Sequence, residues 1–356
     1  MRGVLAVALS FLVTGVVAGD ERETVWAPTI VAVKGSVRIR RVGWKQWAPA
    51  YFGVAVHPKD LLNTDAGASV QVLCADLSRG TLTEGRTEGV PCKTNRPPIK
   101  NDAGQYQTSL RGDESTDRSL ILITPRWTRI VDPHPTIRWS APSDVKRFEV
   151  TVRGSGVLWT RTVDGQTSLR YPDDAPRLAP GNQYAISITA GELSSIRTGE
   201  PWPFFEVASR AQLDTMERQL RMVQSLGLGQ EKNRVLEAKL LANLGMNAAA
   251  IERLEQVSPN FGAAIADRLL AGIYHDTGLD HLAVIRYRTA LRKAVASGDA
   301  EGQALAADAL GSLCQRFGLC ARGEARTSLG KALEIYQKLG AEKHVKRLRE
   351  ELATFQ

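Results

Sequence analysis

The stretch LLAGIYHDTGLDHLAVIRYRTAL, Leu269 to Leu291, gathers Tyr274, His275, Asp276, Asp280, His281 and Tyr287. An imidazole beside a carboxylate is the usual apparatus for moving protons, so His275 with Asp276 raises an acid–base reading. The same residues also suit a contact surface on a helix or a solvated helix end. The remaining histidines are His57, His134 and His344. None of the five sits in HExxH, and none has a Cys or acidic partner at metal-ligand spacing. GxSxG, Walker and GxGxxG motifs are missing; GSG at 154–156 and GLG at 227–229 are lone turns. No catalytic residue, metal ligand or cofactor is assigned, and the chain reads as non-enzymatic.

A second polar constellation lies near the start. Trp44, Trp47, Tyr51 and Phe52 alternate with Arg40, Arg41 and Lys45. Aromatic rings beside cations can stack on sugars or on a partner peptide. They can equally fill a small β-domain, and both readings stay open. The four cysteines form two close pairs, Cys74 with Cys92 and Cys314 with Cys320. In an oxidising compartment such pairs read as disulfides, and closing the first loop would contribute roughly 3 kcal/mol. Zinc is the rival reading, but it lacks CxxC spacing and a nearby His.

The compartment follows from MRGVLAVALSFLVTGVVAGDERET. Arg2 precedes an apolar run from Val4 to Ala18, with Val16 and Ala18 small enough for the cleavage positions. Residues 1–18 read as a secretory signal peptide. The run is shorter than the roughly 18 residues of a spanning helix, and no later stretch is long and apolar enough to cross a bilayer. The protein is therefore expected to be exported, periplasmic or envelope-associated. Without Arg2 the chain carries 45 basic and 38 acidic residues. Outside the cytosol this excess excludes a nucleic-acid role, leaving a solvated surface or affinity for an anionic envelope polymer.

Three regions must position these groups, since 356 residues exceed what one core organises. Residues 27–115 alternate with period two in VRIR and SVQVLC, and the chain from Ser78 to Asp117 reads as a long irregular loop tied back by Cys92. Gly35, Val37, Asp60, Leu62, Thr64 and the strand Ser69 to Cys74 resemble the Gly-x-Val, Gly-Asp-x-Leu-x-Thr and strand pattern of FecR-type domains, with Lys59 replacing the usual Gly. The resemblance implies a small β-domain making envelope contacts. The sigma-factor signalling of the regulators that name that family is not carried over, because the membrane helix it needs has no counterpart here.

Residues 120–208 are a run of short alternating strands with Trp139, Phe148, Trp159 and Tyr184 at sandwich spacing. LAPGNQY places Leu178, Pro180, Gly181 and Tyr184 as in the tyrosine corner of fibronectin type III domains. That resemblance implies a fold and little about function.

Residues 209–230 read as a connector helix and 231–356 as helical repeats. Ala271, Tyr274, Gly278, Ala283, Tyr287, Ala290 and Leu291 reproduce tetratricopeptide spacing. Ala238, Leu241, Gly245, Ala250 and Leu254 repeat it 33 residues earlier, and Gly311, Cys314, Gly318, Ala325 and Leu329 follow with two extra turn residues. The resemblance implies hairpins whose first helices line a groove, here Val235, Lys239, Asn243, Ile265, Arg268, Gly272, His275, Asp308, Ser312, Gln315 and Arg316. A protein or peptide partner is the usual cargo of such a groove.

The expected fold is thus multidomain: an all-β N-terminal half, FecR-like domain plus fibronectin type III-like sandwich, then an all-α tetratricopeptide-like solenoid with a capping helix. The expected function is a non-enzymatic exported scaffold of the bacterial envelope. The alternative is a peptidoglycan- or polysaccharide-binding protein using Trp44, Lys45, Trp47 and Tyr51.

Overall fold

The computed structural model describes residues 26–93, 119–196 and 201–355; the expected signal peptide lies outside the described residues. A β-rich half over residues 29–207 is followed by eight helices over residues 210–353.

The first β-module has two small sheets. One is ordered β1-β5-β6 from β1 (Thr29–Lys34), β5 (Ser69–Leu73) and β6 (Arg79–Thr83); the other is β3-β2-β4-β7 from β2 (Val37–Arg40), β3 (Ala48–Pro49), β4 (Leu61–Thr64) and β7 (Thr87–Glu88). Period-two alternation buries Val37 and Ile39 on β2, and Val70 and Val72 on β5. Strands β6 and β7 occupy part of the segment expected to be irregular. In RGTLT, Gly80 and Leu82 are the buried positions, so half of the inward row carries no apolar side chain for a pattern to detect. The glycine is required by packing: a Cβ there would lie 1.8 Å from the Pro91 carbonyl oxygen. The segment Val90–Cys92 thereby crosses β6, where Cys92 is disulfide-bonded to Cys74.

The second module packs β8 (Ile121–Thr124), β10 (Thr136–Ser140) and β13 (Ser168–Arg170), ordered β13-β10-β8, against a larger sheet. That sheet runs β12-β11-β14-β16-β9, built from β9 (Thr128–Ile130), β11 (Arg147–Gly154), β12 (Val157–Asp164), β14 (Gln183–Ala190) and β16 (Phe204–Val207), with β15 (Leu193–Ser194) on β14. Its core is its own: Leu122, Trp139, Phe148, Val150, Val152, Tyr184 and Phe205 meet without any helical residue. Tyr184 is 1% exposed, and its hydroxyl accepts a hydrogen bond from the Ala179 N–H at 2.9 Å. Tyr184→Phe leaves that donor unpaired and is expected to cost about 1–3 kcal/mol of stability, read by denaturant unfolding. An unchanged midpoint would show that the corner does not secure the last hairpin.

The helices are α1 (Arg210–Gln224), α2 (Gln230–Asn243), α3 (Asn247–Glu255), α4 (Ile265–Asp276), α5 (Asp280–Ser297), α6 (Ala300–Phe317), α7 (Arg322–Leu339) and α8 (Glu342–Ala353). Ser209 and Gln212 form a capping box that starts α1. Small residues let helices approach closely: a Cβ on Gly311 would stand 2.6 Å from Leu329 across the α6–α7 pair. Cys314 and Cys320 are disulfide-bonded across the end of α6.

Two further cores span both halves. Trp26, Val31, Leu73 and Leu77 of the first module pack with Val235, Ala238, Leu270, Ala271 and Tyr274. Ile30, Ile39, Leu62 and Val72 share a second core with Ala304, Ala307, Leu329, Tyr336 and Leu339. The first β-module and the helices are therefore one hydrophobic body.

Candidate functional site

The face formed by α2, α4, α6 and α8 carries the residues proposed to line a groove. Much of it is taken up within the chain. Val235 is buried in the core shared with the first module. Lys239 donates from Nζ to Thr29 Oγ1 at 2.5 Å and lies 5.0 Å above the Trp26 ring, so it faces the β-module. Asn243 is buried at the end of α2. Ile265 abuts Gly53: a Cβ on that glycine, at φ +84°, would stand 2.7 Å from Ile265.

On the α6 side the polar groups are joined to α8. Arg347 is ion-paired with Asp308 and with Glu351 at 2.8 Å. Ser312 Oγ donates to Glu351 at 2.8 Å, and Gln315 donates to Thr354 Oγ1 at 2.7 Å. Burial drives the Asp308 carboxyl up to about 6 despite the opposing pull of Arg347. Arg268, Gly272 and His275 stay half-exposed in the middle of the face, and Arg316 is exposed with its guanidinium 5.1 Å over the Phe317 ring.

His275 pairs with Asp280, five residues along the chain. Its Nδ1 lies 2.6 Å from Asp280 Oδ1, a carboxylate only 1% exposed. Burial alone would lower the imidazole pKa, but the bond to Asp280 outweighs it and leaves the value raised. The pair ties the end of α4 to the start of α5, a structural link across a tight turn.

The strongest polar feature on this face was not assigned from sequence. Arg41 reaches from the end of β2 into the helices, contacting Glu301 Oε1 from Nε at 2.8 Å and from Nη2 at 2.7 Å. Its Nη1 donates to Asp60 Oδ2 at 2.6 Å and to the Ala55 carbonyl at 2.6 Å. All three charged groups are nearly inaccessible, with side-chain exposures of 11%, 2% and 8% for Arg41, Asp60 and Glu301. Burial raises the Asp60 carboxyl, but bonds from His57 and Arg41 outweigh it and hold the group at about 2. Of the triad the sequence singled out only Asp60, from its turn motif, and Arg41, from its aromatic surroundings.

The aromatic–basic cluster is divided by the fold. Tyr51 donates to the Ser297 carbonyl at 3.1 Å, Lys45 pairs with Glu342 at 2.6 Å, and the backbone N–H groups of Lys45 and Gln46 both donate to the Leu339 carbonyl at 3.1 Å. Trp44 packs partly buried on the second mixed core. Trp47 remains at the surface beneath the Arg40 guanidinium at 4.9 Å.

The second module docks on the turns at the other end of the helix pairs. Arg126 Nε donates to the Thr277 carbonyl at 2.7 Å, Arg129 Nη1 to Leu244 at 2.9 Å, and Asn247 Nδ2 to Trp127 at 3.0 Å. Arg138 grips Glu255 through two bonds of 2.8 and 3.1 Å.

One cluster has the elements of a metal site: Cys314, Cys320 and Glu324 within 4.8 Å of one another. It does not fit a metal. The sulfurs are joined to each other, offering no thiolate, and Glu324 is held by Arg288 at 2.6 and 2.8 Å. What the face can do, chemically, is hold surfaces together: its acids and most of its cations are bonded to partners within the chain. No protein-family model and no curated protein sequence matches this chain.

Proposed function

We propose that the protein is a non-enzymatic scaffold of the bacterial cell envelope, exported and built from FecR-like, fibronectin type III-like and tetratricopeptide-like modules. The observation that carries this reading is that the inner helical face grips the first β-module while the helix turns hold the second. A helix array bonded in this way keeps the two modules in a fixed relation, so a partner meets a surface that is already ordered and binding costs less entropy. Half-exposed Arg268, Gly272 and His275, with exposed Arg316, are the stretch left for a peptide segment of that partner.

The test is site-specific photo-crosslinking of the full chain in its exporting cell, with the probe at Arg316 in one variant and at Lys239 in another. The expected result is an envelope protein captured from position 316 and none from position 239, which faces the β-module. Equal capture at both positions, or retention of the chain inside the cytoplasm, would overturn the reading. The polysaccharide alternative is favoured by one observation, the surface stack of Arg40 on Trp47. Pelleting with purified peptidoglycan separates the two: under the alternative, Trp47→Ala loses cell-wall retention several-fold, and under the scaffold reading it does not.

A further inference from the structure

At the end of the larger sandwich sheet, β12 presents an eight-residue edge, Val157–Asp164. It pairs with β11 through eight consecutive residue pairs without a bulge, from Gly154↔Val157 to Arg147↔Asp164. The turn between them is two residues, Ser155 and Gly156, both at positive φ (45° and 81°), the geometry of a tight hairpin. The residues flanking such a turn form a hydrogen-bonded pair, and the pattern alternates from there. Backbone groups of Val157, Trp159, Arg161 and Val163 therefore serve β11, while those of Leu158, Thr160, Thr162 and Asp164 point to the free edge. Among the described residues, no backbone hydrogen bond reaches those outward groups.

Exposed edges of this length are ordinarily blunted by proline, lysine or a bulge. This one has none of the three, its charges being Arg161, which lies beside Trp159, and Asp164 at its end, and it carries Leu158 at 76% exposure. The opposite end of the sheet, β9, is the one fastened to the helices, where Arg129 N–H donates to the Gly245 carbonyl at 2.8 Å. The β12 edge therefore points away from the helical half, and a second chain can approach it without meeting that half.

We infer that β12 pairs antiparallel with β12 of a second copy of this chain, with the two-fold axis at Thr160, making one sheet continuous across a homodimer. Residues directly opposite in an antiparallel pair lie on the same face, so a symmetric pairing must centre on a residue. Centred on Thr160, the register sets Leu158 opposite Thr162, Trp159 opposite Arg161, and Val157 opposite Val163. It uses the outward backbone groups of Leu158, Thr160 and Thr162, and it gives two cation–π and two apolar cross-strand pairs. Centring on Arg161 would set guanidinium against guanidinium; centring on Trp159 would leave Val163 outside the pairing. Arg161 already lies on the Trp159 side of the strand, 6.0 Å from that ring, and its ion pair with Asp174 at 3.6 Å is at the surface, so the side chain can turn to the neighbouring strand.

The test uses the full-length chain with its disulfides intact. Light scattering on a sizing column should give a dimer mass. Thr160→Cys should form a disulfide-linked dimer under mild oxidation, because paired Cα atoms about 5.5 Å apart suit a disulfide. Thr162→Cys alone should not, since its symmetry mate sits opposite Leu158, four residue pairs away. Thr160→Pro removes an edge N–H that serves no intrachain strand, so folding should be kept, checked by circular dichroism, while the dimer dissociation constant rises at least tenfold. A monomer at all concentrations overturns the inference. So does a dimer that resists Thr160→Pro, or one that cross-links at Thr162→Cys and not Thr160→Cys, either of which places the contact elsewhere. Binding of an added extended peptide at the edge with no self-association would likewise assign it to another occupant.

Discussion

Arg41→Met is expected to destabilise the protein by about 3–5 kcal/mol, the usual cost of removing one member of a buried ion network. Asp60 and Glu301 would stay behind as nearly inaccessible carboxylates without their common cation. The Glu301 Oε2 already has no hydrogen-bond partner, whereas Asp60 would keep its bonds from His57 and the Val42 N–H. Arg41→Lys should recover only part of the loss, because an ammonium cannot reproduce the guanidinium fork that reaches both acids and the Ala55 carbonyl. The effect has a pH signature. Asp60 is held at about 2, below its unfolded value, so its contribution is fully present above that unfolded value and fades as pH falls toward 2. In Arg41→Met the carboxyl is no longer held down by the guanidinium, and the gap to the parent protein should narrow on acidification. Thermal unfolding of both proteins from neutral pH down to about pH 3 reads this. A small loss independent of pH would mean that the triad is solvated and does not lock the β-module to α6.

The second large effect concerns a chain ending at Val207. The sandwich should remain folded and the first β-module should not. The sandwich core contains no helical residue. The first module, in contrast, contributes Trp26, Val31, Leu73 and Leu77 to a core completed by the helices, all at 4% exposure or less. Exposing four such side chains forfeits roughly 6–12 kcal/mol at about 1.5–3 kcal/mol each. That equals the whole stability of an ordinary domain. Hydrogen exchange on the truncated chain should show protection over β11, β12 and β14 and loss of it over β1 and β5. Protected β1 and β5 would show that the first module is self-sufficient and that the helices are an appendage. A partner lost on such a truncation would not by itself locate binding on the helices, because the first module fails with them.

Much of this organisation was readable locally. Period-two alternation in VRIR and SVQVLC, and the glycine-punctuated small-residue spacing around Ala271 and Gly311, separate a β-rich half from a helical one, because each pattern is set by neighbours a few residues apart. The hidden strand β6 was missed for the same reason: Gly80 leaves its inward row half blank. His275 was legible as a polar groove or helix-end residue beside Asp276, but its bond to Asp280 was not, because that contact forms only when the turn between α4 and α5 closes.

By itself, then, the sequence determined the order of β and helical halves, the four cysteines that became Cys74–Cys92 and Cys314–Cys320, and the polar character of the face carrying Lys239, Arg268 and Arg316. Only the tertiary structure decided what that face touches. Arg41 and Glu301 are 260 residues apart, Lys239 and Thr29 are 210 apart, and Tyr51 meets Ser297 across 246. Such contacts leave no periodicity behind, because their energy comes from excluding water between two surfaces each of which, read alone, looks like an ordinary exterior.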